Sequence, residues 1–342
     1  MINLDDLKSK LSKLRIAVIG DVMIDKYTLG KVQKISPEAP VPIFRITEES
    51  YTLGGAANVA MNLKALGVDV YLVGVVGNDI YASKLRELCK SNNINSFFVT
   101  KDNIPTIVKE RIVSNNQHIV RIDREEDFIL NDSEESKIFQ YIKDIGITNV
   151  IVSDYDKGCI TYNTIPKLKS IDNDMFIAVD PKSYDYTKYK GCNVIFPNIE
   201  ELGRLMNLDP LDDKLNFLDS KKNKYNVIEV GKNLLSKVNS DAIVIKQSEL
   251  GLSYVDSRDP KSFLYYPGIT KNVVDVTGAG DTVISSFTAL YLINEDIKDI
   301  IKFVSIAASK TISKLKVYAP KLKEIVEEFE SESINTMCGW NS

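Results

Sequence analysis

Short apolar runs recur along this chain, and each gives way to a polar or glycine-rich loop. They are Arg15–Gly20, Val70–Val76, Val150–Ser153, Phe176–Asp180, Val194–Phe196 and Ala242–Ile245. Runs this short, apolar on both sides, suit strands buried on both faces of a parallel sheet. Helical spacing fills the gaps: residues 56–66, ending at Gly67 as a C-cap, then about 81–91, and later about 227–237. Strand and helix alternate, which predicts an α/β fold: a doubly wound, mostly parallel sheet with helices on both faces.

Two segments break the rhythm. Residues 31–50 contain Ser36-Pro-Glu-Ala-Pro-Val-Pro42 and then Ile43-Phe-Arg-Ile-Thr47. Prolines this dense forbid a helix and suit an extended edge. Residues 104–124 hold two β-rich runs around Ser114-Asn-Asn-Gln117, a hairpin pattern. Together they predict one small β-sheet beside the main body, placed as a lid. The expected organisation is one α/β domain over residues 1–330 carrying that lid. A charged helix follows Pro320, and residues 331–342 form a tail.

Composition removes several function classes. Lys and Arg total 43 against 47 Asp and Glu, a net charge of −4, so no basic excess points to nucleic acid. No apolar stretch approaches the roughly 20 residues of a membrane span, and the N-terminus lacks the pattern of a secretory signal. The four cysteines, Cys89, Cys159, Cys192 and Cys338, form no C-x-x-C pair, and a reducing cytoplasm suits them. The single histidine, His118, lies in a strand-like alternation and excludes any two-histidine metal motif. Chemistry is left to carboxylates, lysines and backbone amides.

The sharpest local signal is Asp275-Val-Thr-Gly-Ala-Gly-Asp281, between a strand-like Asn272-Val-Val and a helical pattern from Val283. A Gly-Ala-Gly turn opening a helix bares backbone N–H groups at the positive end of the helix dipole, a site for phosphate. Asp281 at the same place could take a proton from a substrate hydroxyl while Gly278, Ala279 and Gly280 steady a migrating phosphoryl group. The plainer alternative is a helix N-cap with turn glycines.

Asp275-x-Thr277-Gly-Ala-Gly-Asp281 resembles the anion-hole and base signature of the ribokinase-like (PfkB) carbohydrate kinases. Gly54-Gly-Ala-Ala-Asn58 is similar to their sugar-site signature, and Asn198-Ile-Glu-Glu201 to their N-x-x-E motif. Gly20-Asp-Val-Met-Ile-Asp25, Ser36–Pro42, Gly54–Asn62, Ser153-Asp-Tyr-Asp-Lys-Gly158 and Val179-Asp-Pro-Lys182 are also similar to D-glycero-β-D-manno-heptose-7-phosphate kinases. That likeness implies an ATP-dependent kinase acting on the C1 hydroxyl of the heptose 7-phosphate, on the way to ADP-heptose. In many bacteria this kinase is fused to a nucleotidyltransferase with an H-x-G-H signature. This chain, with one histidine, reads as a stand-alone kinase.

The resemblance distributes the remaining roles. Asp21 and Asp25, in the loop after the first strand, and Gly54, Gly55 and Asn58 would face the sugar. Independently of the resemblance, strand alternation puts Lys109 and Arg111 of the hairpin on one face, and with Arg121 these cations suit an existing phosphate, with a solvated strand face as the alternative. Lys182 is a further candidate cation, and Asp154 and Lys157 face the cleft without an assigned role. Asn198 and Glu201 would organise Mg²⁺, Glu201 indirectly through water. Lys246, Gly251, Asp275, Thr277 and Ser305 fall on the ATP side, where K⁺ is a second candidate ion. Three places there depart from related heptose kinases: Lys246 stands where Thr is usual, Ser305 where Asn is, and Lys316-Val-Tyr-Ala-Pro320 where Gly and small polar residues are. They leave donor contacts and potassium dependence open.

Exposed lid edges need covering, so a homodimer joined through the lid is expected. Competing functions are another sugar or nucleoside kinase of the fructose-phosphate or ribose type, and a non-catalytic sugar-phosphate sensor. A dinucleotide oxidoreductase is disfavoured because no G-x-G-x-x-G follows the first strand.

Overall fold

The computed structural model describes residues 3–115, 117–208, 224–259, 263–269, 273–331 and 337–339. In chain order the strands are β1 (Arg15–Gly20), β2 (Val22–Ile35), β3 (Pro42–Gly55), β4 (Asp69–Gly77), β5 (Asn95–Lys101), β6 (Ile107–Ser114), β7 (Gln117–Arg124), β8 (Asn149–Ser153), β9 (Phe176–Asp180), β10 (Val194–Ile195), β11 (Ala242–Lys246), β12 (Leu252–Asp256), β13 (Phe263–Tyr266) and β14 (Met337–Gly339). The helices are α1 (Leu4–Leu11), α2 (Ala56–Ala65), α3 (Ile80–Ser91), α4 (Asp132–Ile145), α5 (Thr164–Ile171), α6 (Ile199–Leu205), α7 (Lys224–Val238), α8 (Ala279–Leu292), α9 (Ile297–Ile312) and α10 (Leu322–Ser331).

Among the described residues, ten strands form the main sheet in the order β14-β13-β12-β11-β10-β9-β8-β1-β4-β5. From β11 through β5 every pairing is parallel, and β12 to β14 close one edge antiparallel. Strand β1 explains the unbroken apolar run. Its Ile16 and Val18 pack into a core with α2, α8, α9 and α10, while Ala17 and Ile19 pack into a second core with α4, α5, α6 and α7. Each buried Val or Ile side chain contributes about 1.5–3 kcal/mol, so both faces reward the same residue types. The sheet winds outward from β1 in both directions, which puts a switch point between β1 and β8. In such sheets the carboxyl ends flanking that point form the binding crevice.

The small sheet has the order β3-β2-β6-β7. It is wider than the sequence predicts. Both β2 and β3 are 14 residues long, rooted in the body and exposed at the far end. Only Asp21 separates β1 from β2, so Asp25 stands inside a strand rather than in a loop. The hairpin closes as expected, with Ser114 opposite Gln117 and Asn115 at φ 50°.

Two other expectations change. Val273 and Val274 form no strand; instead the Val274 and Asp275 N–H groups donate to the Ile312 carbonyl at 2.8 and 3.1 Å. Asn272 lies outside the described residues, as does most of the tail, of which Met337–Gly339 pairs with β13. No described helix is long and apolar enough to cross a membrane.

Candidate active site

The start of α8 sits beside the carboxyl ends of β8, β9 and β11. Gly278 occupies its N-cap with φ +85° and offers no side-chain cap to the first-turn amides. A Cβ at Gly278 would lie 2.8 Å from Asn58 Nδ2, so glycine serves both the backbone twist and a close approach.

Asp281, in the first turn, is buried and held from two sides. Its Oδ2 accepts from Asn58 Nδ2 at 2.6 Å and its Oδ1 from the Tyr155 hydroxyl at 2.8 Å. Asn62 fixes the Asn58 carboxamide by donating to Asn58 Oδ1 at 3.2 Å, and Thr282 Oγ1 donates to Asn62 Oδ1 at 2.9 Å. Burial pushes the Asp281 carboxyl up to about 7; the Asn58 and Tyr155 donors and Lys246 act against that, and Asp180 adds to it. A carboxylate poised there suits a general base at neutral pH.

Two cavities meet at this point. One, of about 150 Å³, is lined by Tyr155, Asp180, Lys182 and Asp281 among others. The other, of about 410 Å³, has a mostly apolar wall including Val276, Val283 and Ile312, and also touches Gly251 and Ser305. Asn198, Lys246 and Gly280 line both. Ser305 Oγ is buried without a partner among the described residues. A larger surface cavity of about 630 Å³, beside Tyr254, Arg258 and Tyr291, contains none of these residues.

Lys246 stands at the seam. Its ammonium pairs with Asp180 and lies 3.8 Å from Glu201. Burial opposes its charge, but Asp180 and Glu201 outweigh that and hold it protonated. The Asn198-x-x-Glu201 motif is a capping box on α6: each side chain bonds the other's backbone N–H at 2.8 Å. Glu201 Oε1 reaches Lys182 at 3.3 Å.

Farther along β2, Asp25 is ion-paired with Arg111, whose guanidinium lies 5.4 Å from the centroid of the Tyr27 ring. A Cβ on Gly54 would collide with the Asp25 carboxylate. Gly55 turns into α2 at φ +55°. Asp275 Oδ1 accepts from Thr277 N–H at 2.9 Å, while its Oδ2 is buried without a partner among the described residues.

Several expectations need correction. Asp21 does not face the sugar space. Its two oxygens accept from the amides of Tyr155, Lys157 and Cys159 at 2.9, 3.2 and 3.1 Å. It anchors the loop after β8, and burial with nearby Asp154 pushes its carboxyl up to about 6. Lys109 and Arg121 are not open cations: both engage Asp123, and Lys109 also engages Glu125. Asp154 and Lys157 are likewise taken, by Lys188 at 2.8 Å and Glu125 at 3.0 Å. Tyr155 and Asp180 were missed as site residues. Both sit one or two positions beyond a strand end or at it, the place where this fold puts ligands.

The family model "pfkB family carbohydrate kinase" matches residues 13–324. The bifunctional protein HldE of Haemophilus influenzae is 34% identical over 311 residues, 90% of this chain and 62% of that protein. HldE of Helicobacter pylori is 36% identical over 317 residues, 91% of this chain and 65% of that protein. The chain thus spans less than two thirds of these relatives. Among solved structures, Escherichia coli phosphofructokinase-2 in complex with potassium superposes with a TM-score of 0.75 at 16% identity, covering 93% of this chain and 98% of that one. Arabidopsis thaliana ribokinase with ribose and ATP gives 0.67 at 16% identity, with the same coverage. Those two likenesses establish the ribokinase-like fold. The match over nearly the whole chain establishes the rest: this protein belongs to the pfkB family of carbohydrate kinases and is a sugar phosphotransferase.

Proposed function

We propose that this kinase transfers the γ-phosphate of ATP to the C1 hydroxyl of D-glycero-β-D-manno-heptose 7-phosphate, giving the 1,7-bisphosphate used for ADP-heptose. The observation that carries the chemistry is Asp281 at the uncapped start of α8, held by Asn58 and Tyr155 in the smaller of two adjoining cavities. The heptose reading rests on the motifs quoted above and on the identity to the HldE proteins.

Asp281 takes the hydroxyl proton as the oxygen attacks phosphorus. The first-turn amides of Ala279, Gly280 and Asp281 stabilise the charge on the transferring group. Lys246, bordering both cavities, meets the donor phosphates. The larger of these two cavities fits a nucleotide: its wall is mostly apolar, and Ser305 belongs to its lining. Hard oxygen donors at Asn198 and Glu201 fit Mg²⁺ held largely by water and phosphates, and no described group of three ligands would form a cage. Bound there, Mg²⁺ neutralises charge on the triphosphate. The buried Asp275 Oδ2, without a partner among the described residues, fits a monovalent cation such as K⁺. Asp25 receives sugar hydroxyls beside its partner Arg111.

The small sheet acts as lid and dimer surface in this reading. Its Val32, Ile35, Ile43, Ile46, Val120 and Ile122 are exposed, and a second copy would cover them. Light scattering tests this; a monomer at working concentration rules the dimer out. The substrate is tested by mass spectrometry of the product from heptose 7-phosphate and ATP, beside ribose and fructose 6-phosphate. A bisphosphate from the heptose at the highest kcat/KM is expected. Faster turnover of either other sugar overturns the assignment.

A further inference from the structure

The loop after β8 is anchored at several points. Residues 154–159 are pinned by Asp21 through three backbone amides. Asp154 adds a second anchor, accepting from the Tyr189 hydroxyl at 2.6 Å, from Lys188 at 2.8 Å and from the Asp156 N–H at 2.8 Å. Asp156 takes φ +58°, and a Cβ on Gly158 would collide with the Phe128 carbonyl. The one side chain this scaffold presents to the reaction chamber with a hydroxyl at its tip is Tyr155. That hydroxyl donates to Asp281 Oδ1 at 2.8 Å.

We infer that Tyr155 is a positioning residue for phosphoryl transfer: its hydroxyl fixes Asp281 in the attack geometry and favours its ionised form, and Asp21 acts by holding the loop that aims it. The inference rests on Asp281 being the base.

The hydrogen-bond arithmetic supports it. A carboxylate with one fixed donor can still swing about that contact. Two donors on different oxygens, Asn58 on Oδ2 and Tyr155 on Oδ1, fix the plane of the group. Each oxygen keeps a lone pair for the incoming hydroxyl. Burial and the Asp281 charge hold the Tyr155 phenol far above its ordinary range, so it stays a donor throughout the working pH range. Charged and titratable groups from every neighbouring element also face this chamber: Asp154 after β8, Asp180 and Lys182 at β9, Glu201 on α6 and Lys246 on β11. Of these, Asp180 disfavours the Asp281 charge and Lys246 favours it. Removing the Tyr155 donor leaves those neighbours in place and tips the balance toward the protonated acid.

The test compares wild type, Tyr155→Phe and Asp281→Asn by steady-state kinetics across pH. In Tyr155→Phe, kcat should fall about ten- to a hundredfold, the range of a hydrogen bond to a charged group. KM for both substrates should stay within about twofold, since the contact is not to substrate. The acid limb of kcat/KM should move to higher pH. An unchanged kcat and an unmoved acid limb overturn the inference. So does a loss seen only in KM. Should Tyr155→Phe fail to fold, 3-fluorotyrosine at position 155 keeps the shape and strengthens the donor; the acid limb must then move to lower pH, and no movement overturns the inference. Asp281→Asn separates the two claims. If it retains turnover, the base assignment itself fails. If it is inactive while Tyr155→Phe behaves as wild type, only the role of Tyr155 fails.

Discussion

Asn58 and Asp281 are joined by a 2.6 Å hydrogen bond across 223 positions of sequence. The bond ties the start of α2 to the start of α8, and Asn62 and Thr282 continue it inward as a buried polar chain. Such a chain is stable only when every member is satisfied.

Asn58→Ala is therefore expected to do two things. It strips a donor from the Asp281 carboxylate and leaves the Asn62 amide short of a partner. The first moves the acid limb of kcat/KM to higher pH; the second costs about 1–3 kcal/mol of stability. Urea unfolding and a pH–rate profile on the same preparation read both. A wild-type acid limb refutes the electrostatic part.

If Asp281 is the base, as proposed, its titration should set the pH dependence. Its carboxyl sits at about 7, so below that pH it is protonated and cannot accept the substrate proton. The wild-type kcat/KM should fall tenfold per pH unit below about 7 and level off above it. Asp281→Asn should lose about a thousandfold or more in kcat while calorimetry still shows sugar binding. A flat profile between pH 5 and 8 excludes Asp281 as the titrating base.

How much of this was legible in the chain follows from where each signal lives. The main sheet was readable because β1, β4, β8, β9 and β11 are buried on both faces and so appear as plain apolar runs. Asp281 was readable because the glycine turn and helix start that carry it are local, whereas its partners Asn58 and Tyr155, 223 and 126 positions away, left no such signal. The Asn198–Glu201 capping box was readable for the same reason. The root of β2 was not. Val22, Met23 and Ile24 are all buried, so no alternation separates them from β1. Nor was the work of Asp21, whose partners lie 134 to 138 residues away and are backbone amides with no side-chain signature. Lys109 of β6 looked open because its pairing with Asp123 and Glu125 exists only once the hairpin is folded, whereas Arg121 pairs with Asp123 two residues along its own strand.

Asp25 and Arg111 make a second, separable prediction. Both are buried, and burial pushes the Asp25 carboxyl up while Arg111 pulls it back. Arg111→Met leaves a buried carboxylate without its counter-charge and should destabilise by about 3–5 kcal/mol. Adding Asp25→Asn removes the orphaned charge, so the double variant should recover part of that loss. Urea midpoints of the two variants decide it: equal stability means the pair is not the source of the penalty.

Lys246 offers the sharpest test on the donor side. Its ammonium is paired to Asp180, lies near Glu201, and sits 3.4 Å from where a Cβ of Gly280 would be. Lys246→Thr removes the cation and leaves Asp180 beside Asp281 without its closest ion-pair partner. Two effects should separate. The KM for ATP should rise about tenfold, as one charged contact to a phosphate is lost, while the KM for the sugar stays put. The acid limb of kcat/KM should also move to higher pH, because Lys246 favours the Asp281 charge and Asp180 opposes it. Adding Asp180→Asn to Lys246→Thr takes away the opposing charge and should bring the limb back down without restoring the KM for ATP. If both effects reverse together, Lys246 acts only through Asp180 and makes no contact with the donor.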